Sequence, residues 1–257
     1  MKILCPICGK PLERKDRTAA CESRHSFDYA RSGYLNLLVS QKAAHGDDAE
    51  MVKARTAFLE KGYYSFLKEE LSSEARQQPV SSTVDLGCGE GTYTIALPGE
   101  ERFGIDLSKD ALKHAAKEDT HTQYLLASIF HLPLADDSMD LAVTCFAPAA
   151  VAEIERVLKP GGRFLYVTPG PDHLIELKQV LYPHPYQNEV KQLDTGMPLV
   201  SQTVISQRFT ADAKDLFNLF RMTPYAWKTG REGTEKLSKI SSLEITAQFV
   251  LRIYQKA

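Results

Sequence analysis

The sequence predicts an α/β protein: an open, mainly parallel sheet flanked by helices, preceded by a small metal-held unit. Three observations predict it. From residue 83 onward, strand-length apolar runs alternate with helical patterns, as βα repeats require. The first repeat carries a closely spaced glycine loop between strand and helix, Gly87-Cys88-Gly89-Glu90-Gly91. Ahead of all this, Cys5, Cys8, Cys21 and His25 stand at metal-ligand spacing, C-x2-C-x12-C-x3-H. A chain of 257 residues has room for one full domain and such an appendage.

Residues 1–36 form the first unit. Three thiolates and one imidazole close a tetrahedral zinc site with no position left for substrate, which makes the zinc structural. A segment this short cannot bury a self-sufficient core. Metal binding worth roughly 10–16 kcal/mol in comparable peptides holds such segments folded. The plainer alternative is a redox CxxC, with Cys21 and His25 as incidental neighbours. Lys10, Arg14, Lys15, Arg17, Arg24 and Arg31 interleave with Phe27, Tyr29 and Tyr34. The aromatics suit the unit's own small core, and the basic residues suit RNA phosphates.

A net charge of −2 does not mark a nucleic-acid binder, but the charge is unevenly placed. Residues 1–45 hold eight Lys or Arg against four Asp or Glu, which is +4 and leaves −6 for the remainder. Bound zinc on three thiolates lowers the first figure by about one unit. The longest apolar runs are strand-sized, so no membrane span is expected. The N-terminus has no secretory h-region, so the cytoplasm is the expected location and thiols are expected rather than disulfides.

Residues 37–78 read as a helical linker. A loop covers 37–46, and Gly46-Asp47-Asp48 suits a turn or helix start. Ala49–Phe58 is helical, with Met51, Ala54, Ala57 and Phe58 on one face, and Gly62 ends it. Tyr63–Ala75 is a second helix with Phe66, Leu67 and Leu71 inward, closed by Gln77-Gln78-Pro79.

Residues 79–257 carry the βα pattern. Strands are predicted at Thr83–Gly87, Arg102–Asp106, Gln123–Ala127, Met139–Phe146, Arg163–Thr168, Thr203–Phe209 and Ile245–Ile253. Helices are predicted at Thr92–Leu97, from an N-cap at Ser108 to Lys117, at Ala149–Leu158, from Pro171 to Leu181, and at Ala211–Arg221. Lys159-Pro160-Gly161-Gly162 reads as a sharp turn.

The glycine loop lets main-chain N–H groups approach a ligand without intervening Cβ atoms. The start of the helix after it presents free N–H groups and a positive dipole end. A dinucleotide fingerprint needs Gly or Ala where Thr92 stands, and here the third glycine arrives one residue early. With Asp85 before the loop and Asp106 closing the next strand, the stretch resembles the first motif of the class I methyltransferases, which use S-adenosylmethionine. That resemblance implies a seven-stranded Rossmann-like sheet whose seventh strand is antiparallel. It implies that Gly87, Gly89, Glu90 and Gly91 face the methionine part of the cofactor. Asp85 then orients the loop or the cofactor's amino group, and Asp106 accepts from both ribose hydroxyls; alternatively Asp106 only caps the following helix. Ser128 borders the adenine, or bonds its own backbone.

Longer stretches narrow the resemblance. CPICGKPL, CESRHSFDYARSGYLNLL, GDDAEMVKARTAFLEKGYY, GCGEGTYT, FAPAAVAEIERVLKPGG, TPGPDHLIELK and MTPYAWK together resemble the RlmA family of bacterial 23S rRNA guanine-N1 methyltransferases. VLKPGG and GCGEG are widely shared; the metal ribbon joined to TPGPxHL and MTPxAW is specific. The chain departs from the family in a short, weakly basic linker before Gly46. The resemblance implies methyl transfer to one guanine in a 23S rRNA hairpin loop lining the peptide exit tunnel, with S-adenosylmethionine as cofactor and zinc as a structural ion.

It also implies cofactor contacts from Tyr64 and His173. The alternatives are a core tyrosine and a water-exposed first-turn histidine. Phe146 and Pro148 fall where relatives place the acceptor base, with core packing the alternative for Phe146, and Trp227, the only tryptophan, is expected to shape the same pocket. Asp140, His131 and His173 are open candidates for the base that takes the N1 proton. Cys88 and Cys145 read as packed thiols, since N1 methylation needs no covalent enzyme intermediate. A homodimer is expected by analogy with RNA-recognising families. Two rival functions stay in view. The ribbon argues against a small-molecule methyltransferase, and the intact Gly87, Gly89, Gly91 and Asp106 argue against a non-catalytic RNA adaptor.

Overall fold

The structure is a computed structural model that describes residues 3–39 and 46–257. The expected loop over 37–46 therefore lies partly outside the described residues. Strands and helices are numbered here in chain order. β1 (Glu13–Lys15), β2 (Thr18–Ala20) and β3 (Ser26–Asp28) form a small antiparallel sheet. β4 (Leu35–Asn36) leaves this unit and pairs in parallel with β7 (Thr122–Leu126). The main sheet thus has eight strands, seven plus this short donor, in the order β10-β11-β9-β8-β5-β6-β7-β4.

β5 (Ser82–Leu86), β6 (Glu101–Asp106), β8 (Met139–Cys145) and β9 (Leu158–Pro169) run parallel with β7. β11 (Ser242–Gln255) inserts antiparallel between β9 and β10 (Leu199–Asp212). After β5 the chain moves outward through β6 and β7, then returns to the other side of β5 through β8 and β9. This reversal leaves a crevice at the carboxyl ends of β5 and β8, where open α/β sheets bind ligands.

Side-chain alternation splits the sheet's apolar packing into two large cores, with a smaller cluster of Leu112, Ala115, Ala116, Tyr124 and Leu126 beside them. Leu141, Val143, Leu165, Val167, Phe249 and Leu251 face one side with helices α1 (Ala49–Leu59), α2 (Ser65–Ala75), α5 (Ile175–Leu181) and α6 (Ala213–Arg221). Val84, Leu86, Phe103, Ile105, Ala142 and Phe164 face the other side with α4 (Val151–Val157). The N-terminal unit shares this second core through Ile3, Leu12, Ala19 and Leu35. Its backbone also docks directly, Leu4 N–H donating to Pro133 O at 2.9 Å. A unit too small for its own core borrows one.

Several elements differ from the sequence reading. α1 buries Val52, Ala54, Phe58 and Leu59, whereas Met51 and Ala57 are only partly covered. The helix expected at Thr92–Leu97 is a single 3-10 turn, Thr94–Ala96. Pro98 disfavours the helical region at Leu97, which is extended, and Thr92, Thr94 and Ile95 are β-branched. The positive helix end expected over the glycine loop is therefore largely missing. The Lys159–Gly162 turn is absorbed into β9 as a register shift, with Gly161 at φ +78°. α7 (Tyr225–Lys228) and α8 (Arg231–Leu237) have no counterpart in the sequence reading; both are too short for a clear period. Ser108 caps α3 (Lys109–Glu118) as predicted, accepting from Ala111 N–H. No helix among the described residues is long and apolar enough to cross a membrane.

Candidate active site and metal site

The glycine loop sits at the end of β5, with Gly87, Gly89 and Gly91 at φ +75°, +55° and +84°. A side chain at Gly87 would strike Ala147 Cβ at 2.4 Å, so the loop packs directly against the turn after β8. Asp106, at the end of β6, holds the loop from beside it. Its Oδ2 accepts from Gly89 N–H at 2.9 Å and its Oδ1 from Ser108 N–H at 2.7 Å. Burial raises its carboxyl, while those two N–H groups pull it back. Each oxygen keeps a second acceptor site open towards the cleft.

Asp85 lies beneath the loop, buried, and its Oδ2 accepts from Thr94 Oγ1 at 2.6 Å. Its Oδ1 has no partner among the described residues. Burial, with Asp106 and Glu90 nearby, pushes this carboxyl up to about 7. Glu90 is buried and takes Arg55 Nε–H at 2.6 Å; Arg55 Nη1 donates to Asp47 Oδ2 at 2.5 Å. Asp47, Arg55, Glu90 and Asp106 bound a cleft of about 300 Å³, closed on its other side by Ile129, Phe146 and Pro148; Asp85 lies behind its wall. Ser128 turns inward on its own loop, its Oγ accepting from Phe130 N–H at 3.2 Å. Cys88 and Cys145 are buried, and burial raises both thiols.

The cleft adjoins a second cavity of about 150 Å³. Arg55, Tyr93 and Phe146 line both. Phe146 stands at the junction with φ +62° and 43% of its surface exposed, its ring 5.2 Å from Phe249 and 6.1 Å from Tyr93. Tyr64, His173 and residues 222–225 complete the wall. Its walls are mainly apolar and aromatic, which suits the face of a flat ring.

Tyr64 is buried with its hydroxyl unpaired among the described residues, edge-on to Phe249 at 5.0 Å. His173 is buried, not an exposed first-turn residue. Its Nδ1 accepts from Gln248 N–H at 3.3 Å, and burial beside Lys178 holds it down to about 3. It is therefore a neutral ring whose Nε2 carries the proton, a donor rather than a base.

Trp227 does not join this wall: it is 72% exposed. In the single turn of α7, Tyr225 faces the cavity and the side chain two positions on faces elsewhere. Asp140 lies at the opposite end of the sheet, near the start of β8, paired with Lys159 Nζ at 2.5 Å and with Ser81 and Ser82 N–H groups. His131 is exposed and lines neither cavity. Sequence reasoning missed Arg55, Tyr93, Phe249 and residues 222–225 as wall components.

The four predicted metal ligands converge. Cys5 Sγ and Cys21 Sγ lie 3.5 and 3.6 Å from His25 Nδ1, Cys8 Sγ lies 3.7 Å from Cys21 Sγ, and all four atoms fall within 4.8 Å of one another. A zinc tetrahedron with bonds of about 2.3 Å to sulfur has S···S edges of about 3.75 Å, so the set fits a closed, structural Zn²⁺ site. On the outer face of this ribbon, Arg14, Arg17 and Arg31 surround a concavity of about 570 Å³. Arg14 stacks on Tyr29 at 4.5 Å, and Phe27 and Tyr29 pack onto the core shared with the main sheet rather than forming a core of the ribbon's own.

The fold and the cleft together define a class I S-adenosylmethionine-dependent methyltransferase. The residues fit that cofactor: an acidic cleft for a cationic ligand, an unpaired buried oxygen on Asp85 beneath the loop, and side-chain-free backbone at Gly87 and Gly89 along the cleft wall. Comparison with known proteins agrees. A family model described as "RlmA, N-terminal" matches residues 3–44, and one described as "Methyltransferase domain" matches residues 84–166. A 23S rRNA (guanine(748)-N1)-methyltransferase of Streptomyces fradiae is 35% identical, over 87% of this chain and 85% of the relative. YxjB of Bacillus subtilis strain 168, provisionally named a 23S rRNA (guanine-N1)-methyltransferase, is 30% identical over 98% and 96%. Among solved structures, a provisionally named type II methyltransferase from Anaeromyxobacter dehalogenans superposes with a TM-score of 0.54 at 18% identity, over 74% of this chain and 94% of that one, which speaks to the fold alone. The chain belongs to the RlmA family of 23S rRNA (guanine-N1)-methyltransferases.

Proposed function

We propose that this chain methylates N1 of one guanine in a 23S rRNA hairpin loop near the peptide exit tunnel. The observation that carries the reading is the junction at Phe146, where the glycine-loop cleft meets an apolar cavity. When bound, S-adenosylmethionine supplies an electrophilic methyl group on its sulfonium. Asp106 fixes the ribose through both carboxylate oxygens, Gly87 and Gly89 lie along the methionine end, Gly91 packs behind the loop against Tyr124 and Ala115, and Asp85 orients the loop. Ile129 borders the adenine, and Ser128 holds that loop through its bond to Phe130 N–H.

The target guanine leaves its loop and enters the apolar cavity from the Phe146 side. Phe146 stacks on it, and Tyr64 and neutral His173 shape the floor. Pro148 stiffens the turn that presents Phe146. Positioning is the main catalytic contribution, since alignment of this kind is worth effective molarities of about 10⁵–10⁸ M. Residues 1–36 recognise RNA, with Arg14, Arg17 and Arg31 neutralising phosphates; residues 37–78 link them to the catalytic unit of 79–257.

The test is transfer of labelled methyl to 23S rRNA lacking the modification, followed by primer extension. N1 methylation blocks Watson–Crick pairing, so reverse transcriptase stops beside the modified guanine. One stop in the tunnel-lining hairpin is expected. No incorporation by a chain that binds cofactor refutes the ribosomal reading and favours a small-molecule acceptor.

A further inference from the structure

We infer that Arg55 positions the cofactor by reading its amino-acid end: the guanidinium takes the α-carboxylate while Glu90 takes the α-ammonium. This rests on the S-adenosylmethionine reading of the cleft. Arg55 stands on α1, and the sequence reading assigned it no role although its stretch also carries Tyr64. Among the described residues it is the only basic side chain lining the glycine-loop cleft, whose other charged groups are Asp47, Glu90 and Asp106. An anionic group entering the cleft is repelled everywhere except beside Arg55.

The geometry leaves a donor for it. Nε and Nη1 are taken by Glu90 and Asp47, but Nη2 has no acceptor among the described residues. Nη2 lies 3.6 Å from where a Cβ on Gly89 would stand, so the guanidinium packs against the loop at the edge of the cleft with this donor still unused. Gly89 N–H is held by Asp106. Gly89 is thus flanked by the ribose-binding carboxylate on one side and by the guanidinium on the other.

Glu90 has a side chain only 5% exposed and is already paired with a cation, so it accepts a second one, the ammonium, without being left bare. A zwitterion meeting a preformed ion pair gains two charge-assisted contacts at once. Arg55 also lines the apolar cavity, so the same contact sets how far the sulfonium reaches towards the acceptor. The competing role is a clasp: Arg55 ties the Asp47 segment and α1 to the glycine loop, and touches no ligand.

Calorimetry on the full chain separates these. The ligands are S-adenosylhomocysteine, which has the amino-acid end, and 5′-methylthioadenosine, which lacks it. In Arg55→Met, affinity for S-adenosylhomocysteine is expected to fall roughly 10–100-fold, while methylthioadenosine changes by less than about threefold. Equal weakening of both ligands makes Arg55 a clasp and overturns the proposal. Arg55→Met leaves Glu90 and Asp47 unpaired, so a ligand-side comparison guards against misfolding. Wild-type protein is expected to bind decarboxylated S-adenosylmethionine roughly tenfold or more weakly than S-adenosylmethionine, and Arg55→Lys, which keeps charge but loses the fork, to narrow that gap. Equal wild-type affinity for the two overturns the proposal. Wild-type protein that binds neither S-adenosylhomocysteine nor methylthioadenosine overturns the methyltransferase reading itself, and this inference with it.

Discussion

Alanine at Gly89 and alanine at Gly87 should fail in different ways. Both glycines occupy the left-handed region, at φ +55° and +75°. Forcing an L-residue there costs roughly 1–2 kcal/mol. At Gly87 the new methyl also meets Ala147 Cβ at 2.4 Å, and overpacking of this kind adds about 1–3 kcal/mol. At Gly89 the nearest atoms are those of the Arg55 guanidinium, at 3.6–3.9 Å, which is ordinary contact. Gly89→Ala should therefore fold with a Tm lower by roughly 2–8 °C, and Gly87→Ala should lose about twice that. The ranking reverses for the ligand. The Gly89 methyl stands in the cleft itself, between the loop backbone and Arg55, and should weaken S-adenosylhomocysteine at least about tenfold. Thermal melts and calorimetry on the two variants give both numbers. Gly89→Ala binding within about twofold of wild type would refute the placement of the cofactor over this loop.

Asp106→Asn should weaken S-adenosylhomocysteine roughly 100-fold, because the amide keeps one acceptor oxygen and loses one charge-assisted hydrogen bond worth about 1.5–3 kcal/mol; calorimetry within threefold of wild type removes Asp106 from the ribose. Elemental analysis should find one zinc per chain, and Cys21→Ser should lower Tm and abolish RNA binding while cofactor affinity stays within about threefold, since no residue of the ribbon lines the glycine-loop cleft. Asp85 has a folded pKa of about 7 against an unfolded value of 3.8, so the folded chain holds a proton that the unfolded chain has released. Its contribution to stability therefore falls as pH rises from about 4 to 7 and is flat above that; urea melts across pH 4–8 should show this slope, and Asp85→Asn should remove it. Replacing Arg14, Arg17 and Arg31 together with Gln should make the salt dependence of RNA binding shallower, by about 0.7–0.9 in log–log slope for each phosphate left without its cation. An unchanged slope in filter binding would move the RNA path elsewhere.

Much of the site was legible before the structure because its signals are local. Cys5 with Cys8, and Cys21 with His25, sit within single turns, so spacing alone brings each pair to one side. The two pairs close because β1 and β2 form a hairpin between them. Asp106 and Ser108 are two residues apart, and the carboxylate reaches the next N–H within its own turn. The helical face of α1 was less legible. Its apolar positions are few, and which of Met51, Val52 and Ala57 goes inward is settled by α6 and the sheet, not by the helix.

The sequence by itself determined the βα alternation, the glycine loop with its flanking carboxylates, and the zinc tetrad, because periodicity, backbone freedom and short ligand spacings act over a few residues. Only the tertiary structure decided that β4 joins the main sheet and that Arg55 meets Glu90 across 35 positions. It also decided that Tyr64, Phe146, His173, Tyr225 and Phe249 wall one cavity while Trp227 faces solvent. Those outcomes depend on which apolar surfaces bury one another and which buried charges find partners. Both are set by contacts between segments far apart in the chain, where no local spacing carries the information.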